Sequence, residues 1–193
     1  MIQGTLIDTI WITSEKTNTT VRNITLIVVG SWILAIMAQI SFPLPFTPVP
    51  ITAQTLAVLI LGSSLGATRA FAATVLYLLQ GAMGLPFFAG GGSGIGVLSG
   101  ATSGYLFGFV MAAYIMGYLA EKGMDRSVQT SLLIFCVGHI VIYLCGLLVL
   151  AQFVGMNNVL TLGLLPFIPG LIIKTILSSI INPIAWKFFH KKS

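Results

Sequence analysis

Charge is what this sequence lacks most. Only 7% of its 193 residues are Asp, Glu, Lys or Arg, and just four are acidic. A soluble domain carries about 25% charged residues, so this chain cannot supply the polar surface that water demands. All four acids lie outside the apolar runs, in the first 15 residues or between 121 and 125, so no two can meet inside a membrane for general acid/base catalysis. There is no HExxH, no G-x-S-x-G elbow and no metal-ligand cluster, so no catalytic residue, metal or cofactor is assigned. The two cysteines, Cys136 and Cys145, stand nine residues apart. That is neither a CxxC nor a metal spacing, and it points to small apolar packing.

What is present is apolar: 56% of residues are hydrophobic and the mean hydropathy is +1.02. At about 20 residues per crossing, the chain accommodates about six transmembrane helices. The apolar runs predict them at 23–42, 51–67, 70–85, 97–119, 127–153 and 168–187, in an all-α polytopic membrane protein. Residues 1–22 read as a polar N-terminal extension and 23–193 as one six-helix domain. The extension has no basic start followed by an apolar stretch, so it does not read as a secretory signal.

The charges segregate as six spans require. Asp8, Glu15, Lys16 and Arg22 precede the first span, and Arg69 sits between the second and third. Glu121, Lys122, Asp125 and Arg126 lie between the fourth and fifth, while Lys187, Lys191 and Lys192 end the chain. The other three connections are uncharged. By the positive-inside rule both termini are cytoplasmic, in the inner membrane of a cell. The net charge of +5 does not indicate nucleic acid, because the basic residues form no patch with interleaved aromatics.

One charge breaks the segregation. Lys174 falls within the sixth span, about 6–10 Å along it from the outer end. An intramembrane lysine costs several kcal/mol unless paired and marks a functional site by default. The outer half of the chain offers no acid to pair with it. Two readings stand: the long stem snorkels to the interface, or an anionic ligand supplies the missing charge. Three uncharged outer connections rich in Pro and Gly favour the ligand.

Lesser candidates surround it. Gln54 opens the second helix, as a ligand contact or as an interhelical hydrogen bond. Tyr105, early in the fourth, stacks on a ring or anchors at the interface. His139 fits a neutral histidine bonded to a neighbouring helix. Ser31 and Ala35 make a small-xxx-small pair that admits another helix, from this chain or a second one. The run from Ala89 to Gly96 lacks a following Lys-Ser/Thr and a preceding strand, so it is no P-loop. With no ATP site and no intramembrane acid, uphill transport would draw on a partner.

These segments together resemble the BioY family, the biotin-binding S components of energy-coupling factor transporters. The resemblance is carried by Pro45-Phe46-Thr47-Pro48-Val49-Pro50-Ile51-Thr52-Ala53-Gln54 and by Gly84-Leu85-Pro86-Phe87-Phe88-Ala89-Gly90-Gly91. Ser103-Gly104-Tyr105 is similar to the family's Gly-Gly-Tyr, and Phe167-Ile168-Pro169-Gly170 with Lys174 to its Pro-Gly-Asp-x-x-Lys. It implies a protein that is not an enzyme and that takes up biotin from the outer side. A membrane T component and two cytoplasmic ATPases would energise it. Lys174 would neutralise the valerate carboxylate, while Gln54, Gly90, Gly91, Gly92, Ser93 and Tyr105 would line the site. Phe46, Thr47, Pro48 and Val49 would form an outer lid, and Ser31 with Ala35 a surface for the T component. Leu171 departs from the pattern by standing where the family has an acid, which leaves open an S component for another small anion. A structural membrane protein without a ligand is the alternative from a different class.

Overall fold

The computed structural model describes residues 4–11 and 16–190. Glu15, Lys191 and Lys192 lie outside the described residues. Nearly everything described is helical, because inside lipid a helix satisfies its own backbone. In chain order the elements are α1 (Leu6–Ile10), α2 (Lys16–Gln39), β1 (Ser41–Phe42), β2 (Ile51–Thr52), α3 (Gln54–Leu65) and α4 (Ala67–Ala82). They continue with α5 (Ile95–Leu98), α6 (Ser103–Glu121), α7 (Val128–Val154), α8 (Val159–Gly163) and α9 (Ile168–His190).

Four stretches are long and apolar enough to cross a membrane: Asn18–Gln39, Ser103–Glu121, Val128–Val154 and Val159–Phe189. The chain is thus an all-α membrane protein with several crossings. The second expected span is shorter than read from the sequence, and the third keeps its 16 residues but starts three residues earlier, at Ala67. The 12 residues of α3 rise only about 18 Å. Its expected first turn is drawn instead into a two-stranded hairpin, where Ser41 pairs with Thr52 and Phe42 with Ile51. The expected start of the fourth span at 97 moves to Ser103, because α5 ends at Leu98 and a turn intervenes. The first long helix starts earlier than 23, at Lys16, so the expected extension already contains its first turns.

The tightest contact in the bundle is α6 on α7. A Cβ at Gly104 would fall 2.3 Å from the Cys145 carbonyl oxygen, and one at Gly108 would fall 2.9 Å from Ile142 Cα. Two glycines four apart let the backbones nearly touch, the arrangement that drives helix association in lipid. Ser31 and Ala35 serve the same end on α2, but inside this chain. Both are buried, and α2 packs on α4 and α3. That corrects the expectation that they form a surface for a T component: no face of theirs is open to a second protein.

Polar fastenings close the charged end. Arg69 of α4 makes a fork on Asp8, with Nη1–Oδ1 at 2.7 Å and Nη2–Oδ2 at 2.8 Å. Arg22 of α2 adds a contact of 3.1 Å to the same carboxylate. Burial pushes the Asp8 carboxyl up, but the Arg69 bonds and charge outweigh it and hold the group below its usual range. Glu121 Oε1 accepts from the Ala67 amide at 2.9 Å and so caps α4. Between α6 and α7, Asp125 is fully buried and accepts from Trp186 Nε1 at 2.6 Å. Burial raises the Asp125 carboxyl in spite of that bond.

Gly108→Leu should abolish the folded yield in detergent, because the side chain would have to displace α7 backbone; a yield equal to the parent's would refute the packing argument. For Asp8 the folded-state pKa is depressed, so its contribution is present above the ordinary carboxylate value and lost as pH falls through that value toward the folded one. Asp8→Asn is therefore expected to lower the thermal midpoint at pH 7 and to match the parent in strong acid, as read by melting curves across pH.

Candidate functional site

A cavity of about 420 Å³ opens at the end of the bundle away from the charges, a size suited to a small organic ligand. The hairpin segment 43–52 covers one side and the loop at Phe88–Gly90 another. The first turns of α6 and the middle of α7 make the floor, and Pro166 to Lys174 closes the ring.

Lys174 is in the wall. Its Nζ donates to the Thr52 carbonyl at 2.6 Å and to Thr55 Oγ1 at 2.7 Å. These partners come from β2 and the first turn of α3, so the hairpin that shortens α3 also positions the lysine's acceptors. An ammonium has three donors, and these two bonds leave one for the cavity. Neither partner carries a negative charge. The lining residues include no Asp or Glu, so the cationic wall has no internal counter-charge. Snorkelling is not the conformation observed: the side chain turns across the bundle to α3 and is half-buried.

The other residues expected from the sequence divide. Gln54 lines the cavity and also makes the interhelical bond, with Nε2 donating to Tyr77 Oη at 2.6 Å. Tyr105 lines it, and its hydroxyl donates to the Gly163 carbonyl at 2.8 Å. Gly90, Thr47, Pro48 and Val49 also line it. Thr47 Oγ1 donates to the Leu162 carbonyl at 2.8 Å, so the hairpin loop and α6 hold consecutive carbonyls of α8. Gly91, Gly92 and Ser93 are not in the wall, since the chain turns away after Gly90. Phe46 is 57% exposed and also outside it.

Sequence reasoning passed over several lining residues. Thr52 and Thr55 flank Gln54 and could have been taken with it as one polar patch in an apolar run. Tyr143, on α7, stands edge-on to Tyr105 with centroids 5.8 Å apart; nothing in the sequence sets it apart from an interface tyrosine. His139 sits beneath, with Nδ1 3.0 Å from Thr175 Oγ1 of α9, in keeping with a histidine bonded to a neighbouring helix. Leu171 is not part of the wall.

Comparison with known proteins adds to this geometry. Residues 13–191 match the BioY family. The chain is 39% identical over 168 residues to "Biotin transporter BioY2" of Lactococcus lactis subsp. cremoris, covering 84% of this chain and 89% of that protein. It is 38% identical over 157 residues to "Biotin transporter BioY" of Thermotoga maritima, covering 81% and 86%. Among solved structures, the crystal structure of "the S-component for biotin from an ECF-type ABC transporter" superposes with a TM-score of 0.78. That match has 25% identity over 90% of this chain and 95% of the other. By fold, by sequence over nearly its whole length and by the motifs around its cavity, this chain belongs to the BioY family.

Proposed function

We propose that this protein is the biotin-capturing subunit of an energy-coupling factor transporter. The observation that carries the reading is Lys174, a cation in the wall of a largely apolar cavity whose lining holds no carboxylate. A ligand carboxylate is the charge that site lacks, and a ring system with an apolar body suits the aromatic floor of Tyr105, Phe109 and Tyr143. In this reading Lys174 meets the valerate carboxylate, while Gln54, Gly90 and Tyr105 address the ring end. Gly91, Gly92 and Ser93 act behind the wall by shaping the loop. Thr47, Pro48 and Val49, with Phe46 at the tip, form the lid.

The chain crosses the inner membrane six times with both termini in the cytoplasm. The charge segregation supports this, with α3 and α4 as short crossings completed by the hairpin and the loop after α4. Residues 23–193 form the binding domain. Energy comes from a T-component membrane protein and two cytoplasmic ATPases, since the sequence offers no nucleotide site of its own. Leu171, at the position of the family's acid, favours one further candidate, a different small carboxylate-bearing vitamin on the same lysine. Ligand-induced shifts in melting temperature rank the two, because the tighter ligand stabilises more at equal concentration.

Lys174→Met should weaken biotin binding by about 30-fold or more, corresponding to the ~2 kcal/mol or more lost when one partner of a buried charge pair is removed. Calorimetry with biotin and biotin amide closes the cycle: the parent discriminates between them and Lys174→Met does not. Equal binding of the two by the parent would sink the charge argument. Thr47→Val removes the bond to Leu162 while keeping the side chain's shape. Association and release of biotin are both expected to quicken several-fold with little change in Kd, and unchanged kinetics would remove Thr47 from the lid.

A further inference from the structure

Gln39 is the last residue of α2, and it lies outside the cavity wall. It is an exposed polar amide at the end of a long apolar helix, and it is directed at backbone carbonyls rather than out from the bundle. Its Nε2 carries two hydrogens and lies within hydrogen-bond distance of three carbonyls, so one hydrogen is shared between two of them. One is Ala35 of its own helix at 3.1 Å, one turn back, which fixes the direction of the amide. The others belong to the loop after α4: Pro86 at 3.1 Å and Phe88 at 3.3 Å.

That loop is the glycine-rich wall. Phe88 is buried and lies edge-on to Tyr77 with centroids 5.7 Å apart. It presses so closely on α4 that a Cβ at Gly81 would fall 2.4 Å from its ring. Its backbone is extended, with φ −80° and ψ 170°, and its carbonyl also accepts from the Gly91 amide at 3.1 Å. Phe88, Ala89 and Gly90 are the loop's three contributions to the cavity. Tyr77 in turn accepts from Gln54, so Gln39, Phe88, Tyr77 and Gln54 form one connected path from α2 to the ligand side of α3. The residue after Gln39 holds the opposite wall, for the Ile40 carbonyl accepts from the Ala53 amide at 3.0 Å, where the hairpin enters α3.

We infer that Gln39 is a positioning residue for the binding site: by donating to Pro86 and Phe88 it holds the glycine-rich loop in the shape that receives the ligand. A loop rich in glycine has large conformational entropy to lose, and two side-chain hydrogen bonds from a rigid helix remove much of it before the ligand arrives. Affinity gained this way is preorganisation, and it is read chiefly in the rate of release. The inference rests on the biotin reading for its affinity arm only.

The test compares the full-length parent with Gln39→Met, which keeps the length but cannot donate, and Gln39→Lys, which keeps donors at similar reach. In the unliganded protein, Gln39→Met should speed hydrogen exchange of the 86–94 amides about tenfold and leave α6 and α7 unchanged. It should weaken biotin binding at least fivefold through faster release, while Gln39→Lys stays within about twofold of the parent in both. Unchanged loop exchange in Gln39→Met overturns the tether. So does a uniform rise in exchange across α6 and α7, which would make Gln39 a general packing residue. Faster loop exchange with unaltered biotin binding overturns its role in the site. A parent that binds no biotin overturns the biotin reading alone, and the exchange comparison still decides whether Gln39 holds the loop.

Discussion

The placement of one ammonium group organises the cavity end of this protein. Lysine within an apolar bundle is tolerated only where hydrogen bonds or an opposite charge receive it. Here the Thr52 carbonyl and the Thr55 hydroxyl do so, and both are neutral. For the Thr52 carbonyl to be available, β2 must turn its backbone toward α9, and for Thr55 to be in reach, α3 must begin immediately after it. The hairpin, the short α3 and the entry of α9 can thus be read as one arrangement around Lys174. It leaves the lysine hydrogen-bonded but not neutralised, a state that a carboxylate-bearing ligand completes.

Around that group, stiffness is unevenly distributed. The α6–α7 pair is held by backbone-to-backbone proximity at Gly104 and Gly108, which leaves no room for adjustment. It gives the cavity a fixed floor of Tyr105, Leu106, Ile142 and Tyr143. The opposite walls are loops rich in proline and glycine, each pinned by a small number of side-chain bonds to carbonyls. A fixed floor with movable walls suits a site that must admit a ligand and then enclose it.

Much of this was legible in the sequence, for reasons that differ from residue to residue. The helical membrane fold follows from composition, and Lys174 stands out because it is the lone charge in an apolar run. The motif resemblance gave Thr47, Gln54, Gly90 and Tyr105, all of which meet at the cavity. What was not legible depends on chain direction in three dimensions. Hydropathy cannot show that Ile51 and Thr52 form a strand rather than the first turn of a helix, because the apolar run continues through both. Small-xxx-small spacing cannot say which helix approaches; Ser31 and Ala35 are buried within this chain, on a helix that packs on α4 and α3. Gly91, Gly92 and Ser93 share a motif with Gly90, yet the backbone turns away before reaching them. Thr52, Thr55 and Tyr143 are ordinary residue types, and only their direction makes them part of the wall.

The two ends of the bundle are fastened by different chemistry. At the charged end, Asp8 with Arg69 and Arg22, Glu121 on the Ala67 amide, and Asp125 on Trp186 all use acidic side chains. Hydrogen bonds to charged groups are worth about twice those between neutral ones. At the cavity end, Lys174 apart, the fastenings are neutral donors on backbone carbonyls: Thr47 on Leu162, Tyr105 on Gly163, Gln39 on Pro86 and Phe88. Each of these is worth about 1 kcal/mol net, an energy that thermal motion and ligand entry readily supply. Had the loops been latched by ion pairs, an anionic ligand would have competed with the acids for Lys174 and met their repulsion on entry. Neutral latches avoid both. The scarcity of acidic residues in this sequence is, at this end of the molecule, a condition for binding an anion at all.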